Sequence, residues 1–265
     1  MASAGSDKVS RVIWKAGETV EGTDWVATET AVALVFNGIS HVVMMATPHD
    51  LEDFALGFSL SEGILNSPKQ LLDCEEIVTG KGIELALSIT AEPFAALKER
   101  RRNLVGRTGC GLCGAESLEQ AIPRPHNIDT ELTVSHKALQ RAIAGLGDEQ
   151  QLQQQTGAVH GAAWCSPEGE IRILREDVGR HNALDKLLGA ISKQEQKPGF
   201  VLVTSRASYE MVAKTASANI PILAAVSAPT SLAIELADQS GLTLVGFSRT
   251  GRHVVYTNGH RLSEV

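Results

Sequence analysis

No run in this 265-residue chain is long enough to cross a bilayer. The most apolar stretches, TAVALVF and IPILAAV, fall far short of the ~20 residues a spanning helix needs. The opening MASAGSDKVS lacks the basic start and apolar stretch of a secretory leader, so a cytosolic protein is expected. An excess of positive charge is missing too. At a net charge of −7 the chain is not a general nucleic-acid binder, which needs cationic surface to displace counterions from phosphate. A local cationic pocket for one small anionic ligand stays allowed. Cysteine is scarce: four residues in a cytosolic chain of this size do not make a disulfide framework. Cys74 and Cys165 stand alone and read as small buried apolar residues.

What is present divides near residue 106. Length and composition suit one large or two smaller globular domains. On the N-terminal side, ETAVALVFNGISHVVMMAT reads as two β-rich runs joined by the hairpin signal Asn37-Gly38. TPHDLEDFALGFSLSEG reads as a helix with Thr47 as N-cap, Pro48 in its first turn and Gly63 ending it. Its residues Leu51, Phe54, Ala55 and Phe58 share a face directed at a core. CEEIVTGKGIELALSIT is a second hairpin, turning at Gly80-Lys81-Gly82, and AEPFAALKERRR a helix whose Arg100, Arg101 and Arg102 complement its dipole. This half is α+β.

Beyond it, the helix-like TVSHKALQRAIAGL and the polar DEQQLQQQ precede two strand-like runs, AVHGAAWC and EIRILRED, around a Pro-Glu-Gly turn. Short apolar strands then alternate with amphipathic helices as far as RHVVYTN, which predicts βαβ units and a largely parallel sheet covered on both faces. Ligands of such sheets gather at the carboxyl ends of the strands, where helix N-termini also point. Ser205, Arg206, Ser208, Ser227, Thr230, Ser248, Arg249 and Arg252 follow three successive strands and are expected to crowd that edge as an anion site. Ser208 and Thr230 each also suit a plain helix cap. No nucleotide-loop motif is present.

REDVGRHNALDKLLG, residues 175–189, packs Arg175, Glu176, Asp177, Arg180, His181, Asn182, Asp185 and Lys186 into a strand-to-helix junction. Asp177 or Asn182 can cap the helix, and Asp185 and Lys186 can face water. Gly179 to Asn182 offer donors and a histidine that titrates near neutrality. His160, between small residues, reads as a satisfied strand histidine.

Residues 106–117, GRTGCGLCGAES, carry Cys110 and Cys113 among Gly106, Gly109, Gly111 and Gly114. A structural zinc site needs four ligands, and there is no second C-x-x-C; His126 is the one nearby histidine. The deaminase zinc pattern is absent, and a thioredoxin-like pair should open a helix after a strand. The glycines predict a mobile loop. Such a loop suits an exposed thiol that collects an atom at one surface and delivers it at another, with the thiolate as the reactive form.

The cysteine segment, GRHNALDK, FALGFSLSEGIL and the run from TSRASYEMVAKT to GFSRTGR together resemble the formate dehydrogenase accessory sulfurtransferases, the FdhD family, over roughly residues 28 to 257. The first 25 residues carry no part of the resemblance. It implies an N-terminal α+β domain (1–105), a C-x-x-C loop and linker (106–128) and a C-terminal three-layer α/β domain of the cytidine deaminase fold (129–265). It also implies a cytosolic, homodimeric sulfur carrier. A cysteine desulfurase would load Cys110 as a persulfide, with Cys113 as helper. The sulfur would pass to the molybdenum or tungsten of a bis(molybdopterin guanine dinucleotide) cofactor, for the apoprotein of formate dehydrogenase. Phe247, Ser248, Arg249, Thr250, Gly251 and Arg252 would form part of the cofactor site. Arg206, Arg249 and Arg252 are then candidates for phosphate, with Ser205 and Arg180 beside them, and His181 and Asn182 for a pterin or guanine edge. Two alternatives stay open: a plain dithiol oxidoreductase, and a cofactor chaperone that carries no sulfur.

Overall fold

The computed structural model describes residues 5–105, 127–194 and 197–264. Cys110, Cys113 and the cysteine segment around them lie outside the described residues, as do the side chains of Arg100, Arg101 and Arg102.

The chain opens with an antiparallel ribbon, β1 (Ser6–Lys15) and β2 (Glu18–Ala27), both largely exposed. The Asn37-Gly38 hairpin forms as its sequence predicts. β3 (Thr30–Phe36) and β4 (Ile39–Ala46) flank a two-residue turn in which Asn37 (φ 45°) and Gly38 (φ 79°) are both left-handed. β5 (Leu71–Thr79) and β6 (Gly82–Ile89) form the second hairpin, and parallel pairing of β6 with β3 completes a four-stranded sheet in the order β4-β3-β6-β5. Helix α1 (Leu51–Ser61) lies on it: Leu51, Phe54, Ala55 and Phe58 meet Val32, Leu34, Phe36, Leu85 and Leu87. α2 (Ala91–Val105) follows β6.

Helix α1 starts later than its sequence suggests. Asp50, left-handed at φ 53°, holds the cap position without a side-chain bond, while Gly63 (φ 63°) lies just past the end as expected. Thr47 is not a cap because all its polar groups are engaged elsewhere. Its N–H donates to Asp177 Oδ2 (3.0 Å), its hydroxyl accepts from Val178 N (3.1 Å), and its carbonyl accepts from Lys186 Nζ (2.9 Å).

The C-terminal half is built on a six-stranded sheet. The short β7 (Val134–Ser135) leads into α3 (His136–Glu149) and α4 (Gln151–Thr156). Then come β8 (His160–Cys165), β9 (Ile171–Asp177), α5 (Arg180–Ser192), β10 (Phe200–Val203), α6 (Tyr209–Ser217), β11 (Ile222–Ala225) and α7 (Ser231–Ser240). β12 (Thr243–Arg249), β13 (Arg252–Thr257) and β14 (Leu262–Ser263), which pairs with β7, end the fold. The sheet order is β13-β12-β11-β10-β8-β9. The expected parallel pairing holds only in the middle, for β10–β11 and β11–β12; β8 runs against both of its neighbours, β10 and β9, and β13 runs against β12. The connections explain this. A crossover helix permits parallel neighbours, whereas the tight turns between β8 and β9 and between β12 and β13 force antiparallel ones.

Alternate residues of each strand serve opposite cores. Val201, Val203, Leu223 and Leu244 pack under α5, α6 and α7, whereas Phe200, Leu202, Ala224 and Val245 pack under α3. The result is three layers, helix, sheet and helix, as expected for this half. The two sheets are joined where α1 crosses α5 at a pair of glycines. A Cβ on Gly57 would lie 1.7 Å from the carbonyl oxygen of Asp185, and one on Gly189 would lie 1.9 Å from that of Asp53.

Candidate functional site

The carboxyl ends of β9, β10, β11 and β12 lie along one edge, with the N-termini of α5, α6 and α7. Because β8 runs against β10, its first residues reach the same edge. Gly161 N donates to Thr204 Oγ1 (2.9 Å), and His160 pairs with Asp177. The loops after β10 and β11 run side by side, bridged at Ala207 and Pro229, with Thr230 N donating to Ala207 O (3.0 Å). Phe247 N donates to Ser227 O (3.1 Å) and draws the end of β12 into the same group. Ser205, Arg206, Ser208, Ser227, Thr230, Ser248 and Arg249, with Arg252 paired to Arg249, therefore lie along one edge, as the strand rhythm predicts, and Phe247 lies among them.

The hydroxyls divide between cap and site. Thr230 Oγ1 accepts from Ala233 N (3.3 Å), an N-cap of α7, and Ser205 Oγ donates to Arg206 O (2.9 Å). Ser208 occupies the cap position of α6 but makes no cap bond. The hydroxyls of Ser208 and Ser248 are buried without a partner among the described residues. A buried hydroxyl left unpaired costs free energy, and both lie along this edge. Arg206, Arg249, Thr250, Gly251 and Arg252 are exposed. Phe247 is held at φ 50°, a left-handed conformation that a bulky residue adopts only under constraint, inside a bulge between Gly246 and Arg249. Gly246 permits that bulge to close: a Cβ there would lie 2.8 Å from Pro229 Cδ and 2.9 Å from a ring carbon of Tyr256.

At the start of α5, His181 Nε2 lies 2.7 Å from Glu210 Oε2 of α6. Burial lowers the His181 pKa below its ordinary value, with Arg180 adding to the effect and Glu210 opposing it. His160 is lowered likewise, by burial first and Arg180 second. Arg180 thus acts on a histidine on either side. His160 is half-buried at the start of β8, opposite Asp177.

Asn182 is not part of that face. It is 3% exposed, and its amide donates to Met45 O (2.8 Å) and Asp177 Oδ1 (3.0 Å). Neither Asp177 nor Asn182 caps α5, whose cap position is Gly179; Asp177 Oδ1 accepts from Gly179 N (2.8 Å) instead. Asp185 and Lys186, expected to face water, are buried. Lys186 Nζ lies 2.8 Å from Asp177 Oδ2. Asp185 accepts from Lys214 Nζ (3.0 Å) and from Ser61 Oγ (2.7 Å). Burial alone would depress Lys214, but Asp185 and Glu62 outweigh it and hold its pKa above the ordinary lysine range. Arg175 donates to Asp53 (2.7 Å), which also pairs with Lys193 (2.8 Å). Arg175, Asp177, Asn182, Asp185 and Lys186 therefore tie α1, β4 and Thr47 to the large sheet. A cleft of about 500 Å3, lined by Leu60, Leu65, Leu188, Ile191 and Ile220, opens at the opposite end of α1 and α5.

Burial pushes both Cys74 and Cys165 up to about 12, so neither supplies a thiolate near neutrality. The other two of the four cysteines, Cys110 and Cys113, lie outside the described residues.

The profile of the FdhD/NarQ family matches residues 27–263, the whole chain apart from the β1–β2 ribbon and the last residues. The chain belongs to the FdhD/NarQ family. Among its relatives, the sulfur carrier protein FdhD of Cupriavidus necator is 55% identical over 94% of this chain and 87% of its own length. That of Variovorax paradoxus is 53% identical over 94% and 90%. A crystal structure of a Desulfotalea psychrophila protein, assigned as a formate dehydrogenase accessory protein, superposes with a TM-score of 0.75 at 27% identity. It covers 98% of this chain and 100% of that one. The α/β class expected from sequence is thus shared with a solved FdhD-type structure. No helix among the described residues is long and apolar enough to cross a membrane.

Proposed function

We propose that this FdhD/NarQ member is a sulfur carrier that holds sulfane sulfur on Cys110 and delivers it to a guanine-nucleotide-bearing molybdenum or tungsten cofactor for formate dehydrogenase. One observation carries the reading. In a chain whose relatives are named sulfur carriers, desolvation raises the pKa of the two described thiols to about 12, which leaves the C-x-x-C pair for the chemistry. Cys110 thiolate attacks the outer sulfur of a desulfurase persulfide; the new S–S bond forms on Cys110 and the donor leaves as thiolate. Attack by Cys113 thiolate on Cys110 Sγ then releases hydrosulfide and leaves a Cys110–Cys113 disulfide, which a dithiol reductant resets. The cofactor is substrate, not a resident group. Arg206, Arg249 and Arg252 are suited to its phosphates, the unpaired Ser208 and Ser248 hydroxyls to its polar edges, and His181, held by Glu210, to its pterin or guanine.

The test is maturation of formate dehydrogenase with wild-type protein or Cys110→Ala. The variant should yield enzyme with activity at background. Activity equal to wild type would show a chaperone that carries no sulfur. Arg249→Ala and Arg206→Ala should each weaken binding of guanosine diphosphate by about tenfold, the cost of one charge-assisted contact. Isothermal titration at fixed salt checks this, and unchanged affinity in both would move the nucleotide off this edge.

A further inference from the structure

The turn between β12 and β13, residues 249–252, is held from outside the sheet by α3. Gly251 N donates to Gln140 Oε1 at 2.7 Å. The other end of that amide, Gln140 Nε2, lies 2.8 Å from His253 Nδ1. His253 Nε2 in turn lies 2.8 Å from His136 Nδ1, with the two rings 21° from parallel. His136 and Gln140 are four residues apart on α3 and so share a face.

The proton positions in this chain are determined by its first link. A backbone N–H only donates, so Gln140 must turn its oxygen to Gly251 and its NH2 to His253. His253 Nδ1 must then accept, which places the ring proton on Nε2, where it donates to His136 Nδ1. One added proton has no place in this arrangement. If it sits on His253, Nδ1–H faces the Gln140 NH2. If it sits on His136 Nδ1, His253 must shift its own proton to Nδ1, with the same collision. Turning the amide over would relieve that collision and create another, NH2 against the Gly251 N–H.

We propose that Gln140, His253 and His136 form a proton-keyed latch that positions the 249–252 turn: the latch holds Gly251 while the histidine pair is neutral and releases it when the pair takes up a proton. His136 is the titratable group facing His253 from α3, and Arg249 and Arg252 are the charged residues beside it on the β12–β13 ladder. Burial, and then His136, lower the His253 pKa below its ordinary value. A pKa depressed in the latched state means that the latch is favoured above that pKa and lost as pH falls through it. The turn is therefore fixed at neutral pH, with Arg249 and Arg252 set in place before any ligand arrives. That last link rests on the cofactor reading above; the latch itself does not.

The test follows the Gly251 amide and the His253 ring by NMR in the full-length protein between pH 8 and 5, for wild type and Gln140→Glu. In wild type, the Gly251 amide should shift with the midpoint of His253. In Gln140→Glu, the carboxylate accepts from Gly251 N–H and from protonated His253 together. The His253 midpoint should then rise by about one unit or more, and the Gly251 amide should stay in place through the titration. A Gly251 amide indifferent to His253 in wild type, or a His253 midpoint unmoved or lowered in Gln140→Glu, would overturn the latch. Guanosine diphosphate affinity, read alongside, should fall about three- to tenfold across the wild-type titration and hold in the variant. A nucleotide affinity that does not follow the amide would leave the latch in place and overturn the placement of the cofactor at this turn.

Discussion

Replacing Lys186 with methionine is expected to destabilise the protein by about 3–5 kcal/mol, the cost of leaving one member of a buried ion pair alone. Both side chains of the Lys186–Asp177 pair are 0% exposed. Lys186 also donates to the carbonyl of Thr47 at the end of the N-terminal sheet. Asp177 would retain donors from Thr47 N, Gly179 N and Asn182 Nδ2, yet it would hold a charge with no counter-ion. The same carboxylate orients the start of α5, so loss of the lysine should also disturb Arg180 and His181. Urea denaturation checks the magnitude. Asp177→Asn combined with Lys186→Met should recover part of the loss, because no unpaired charge then remains, while the new amide NH2 faces the Thr47 N–H and forfeits that bond. A Lys186→Met variant within 1 kcal/mol of wild type, the order expected of an exposed pair, would mean that this tie does not join the two sheets.

Glycine-to-alanine changes should split in sign according to what lies beyond the missing Cβ. Gly57→Ala and Gly189→Ala each drive a methyl against backbone of the opposite helix, at 1.7 and 1.9 Å. Backbone cannot rotate aside, so α1 and α5 must separate, at a cost of about 3 kcal/mol or more. Gly147, also helical, has nothing within 4 Å of its Cβ position. Gly147→Ala should stabilise by about 0.5–1 kcal/mol through helix propensity alone. Thermal melts of the three variants provide the comparison. Gly57→Ala melting with or above wild type would contradict the helix crossing.

These two sets of residues also mark where sequence stops being informative. The helices and strands are legible because their cores are local patterns: Leu51, Phe54, Ala55 and Phe58 recur with the helical period, and Asn37-Gly38 has one common use. The edge that gathers Ser205 to Arg252 is legible because repeated strand-helix units place their loops together. Thr47, Asn182, Asp185 and Lys186 are not legible in the same way, since each has a partner about 120 to 140 positions away and no periodicity reports it. A signal was present in NALDKLLGAI. Asp185 and Lys186 stand in a helix apolar on nearly every side, which argues for burial and not for a solvated face. A glycine inside each of two core-facing helices is a second sign, of close helix crossing. The antiparallel β8–β9 and β12–β13 pairs follow from turn lengths, and the Pro-Glu-Gly turn already implies a hairpin. The Gln140 link to Gly251 leaves no mark in sequence, because a lone glutamine on a helix face has no pattern to distinguish it.

The central claim, sulfur held on Cys110, is tested most directly by intact-protein mass spectrometry after incubation with a cysteine desulfurase and cysteine, wild type beside Cys110→Ala. The expected result is a gain of one sulfur atom in the wild type, about 32 Da, reversed by reductant and absent in the variant. No gain in the wild type, or only the loss of two hydrogens that marks a Cys110–Cys113 disulfide, would contradict it.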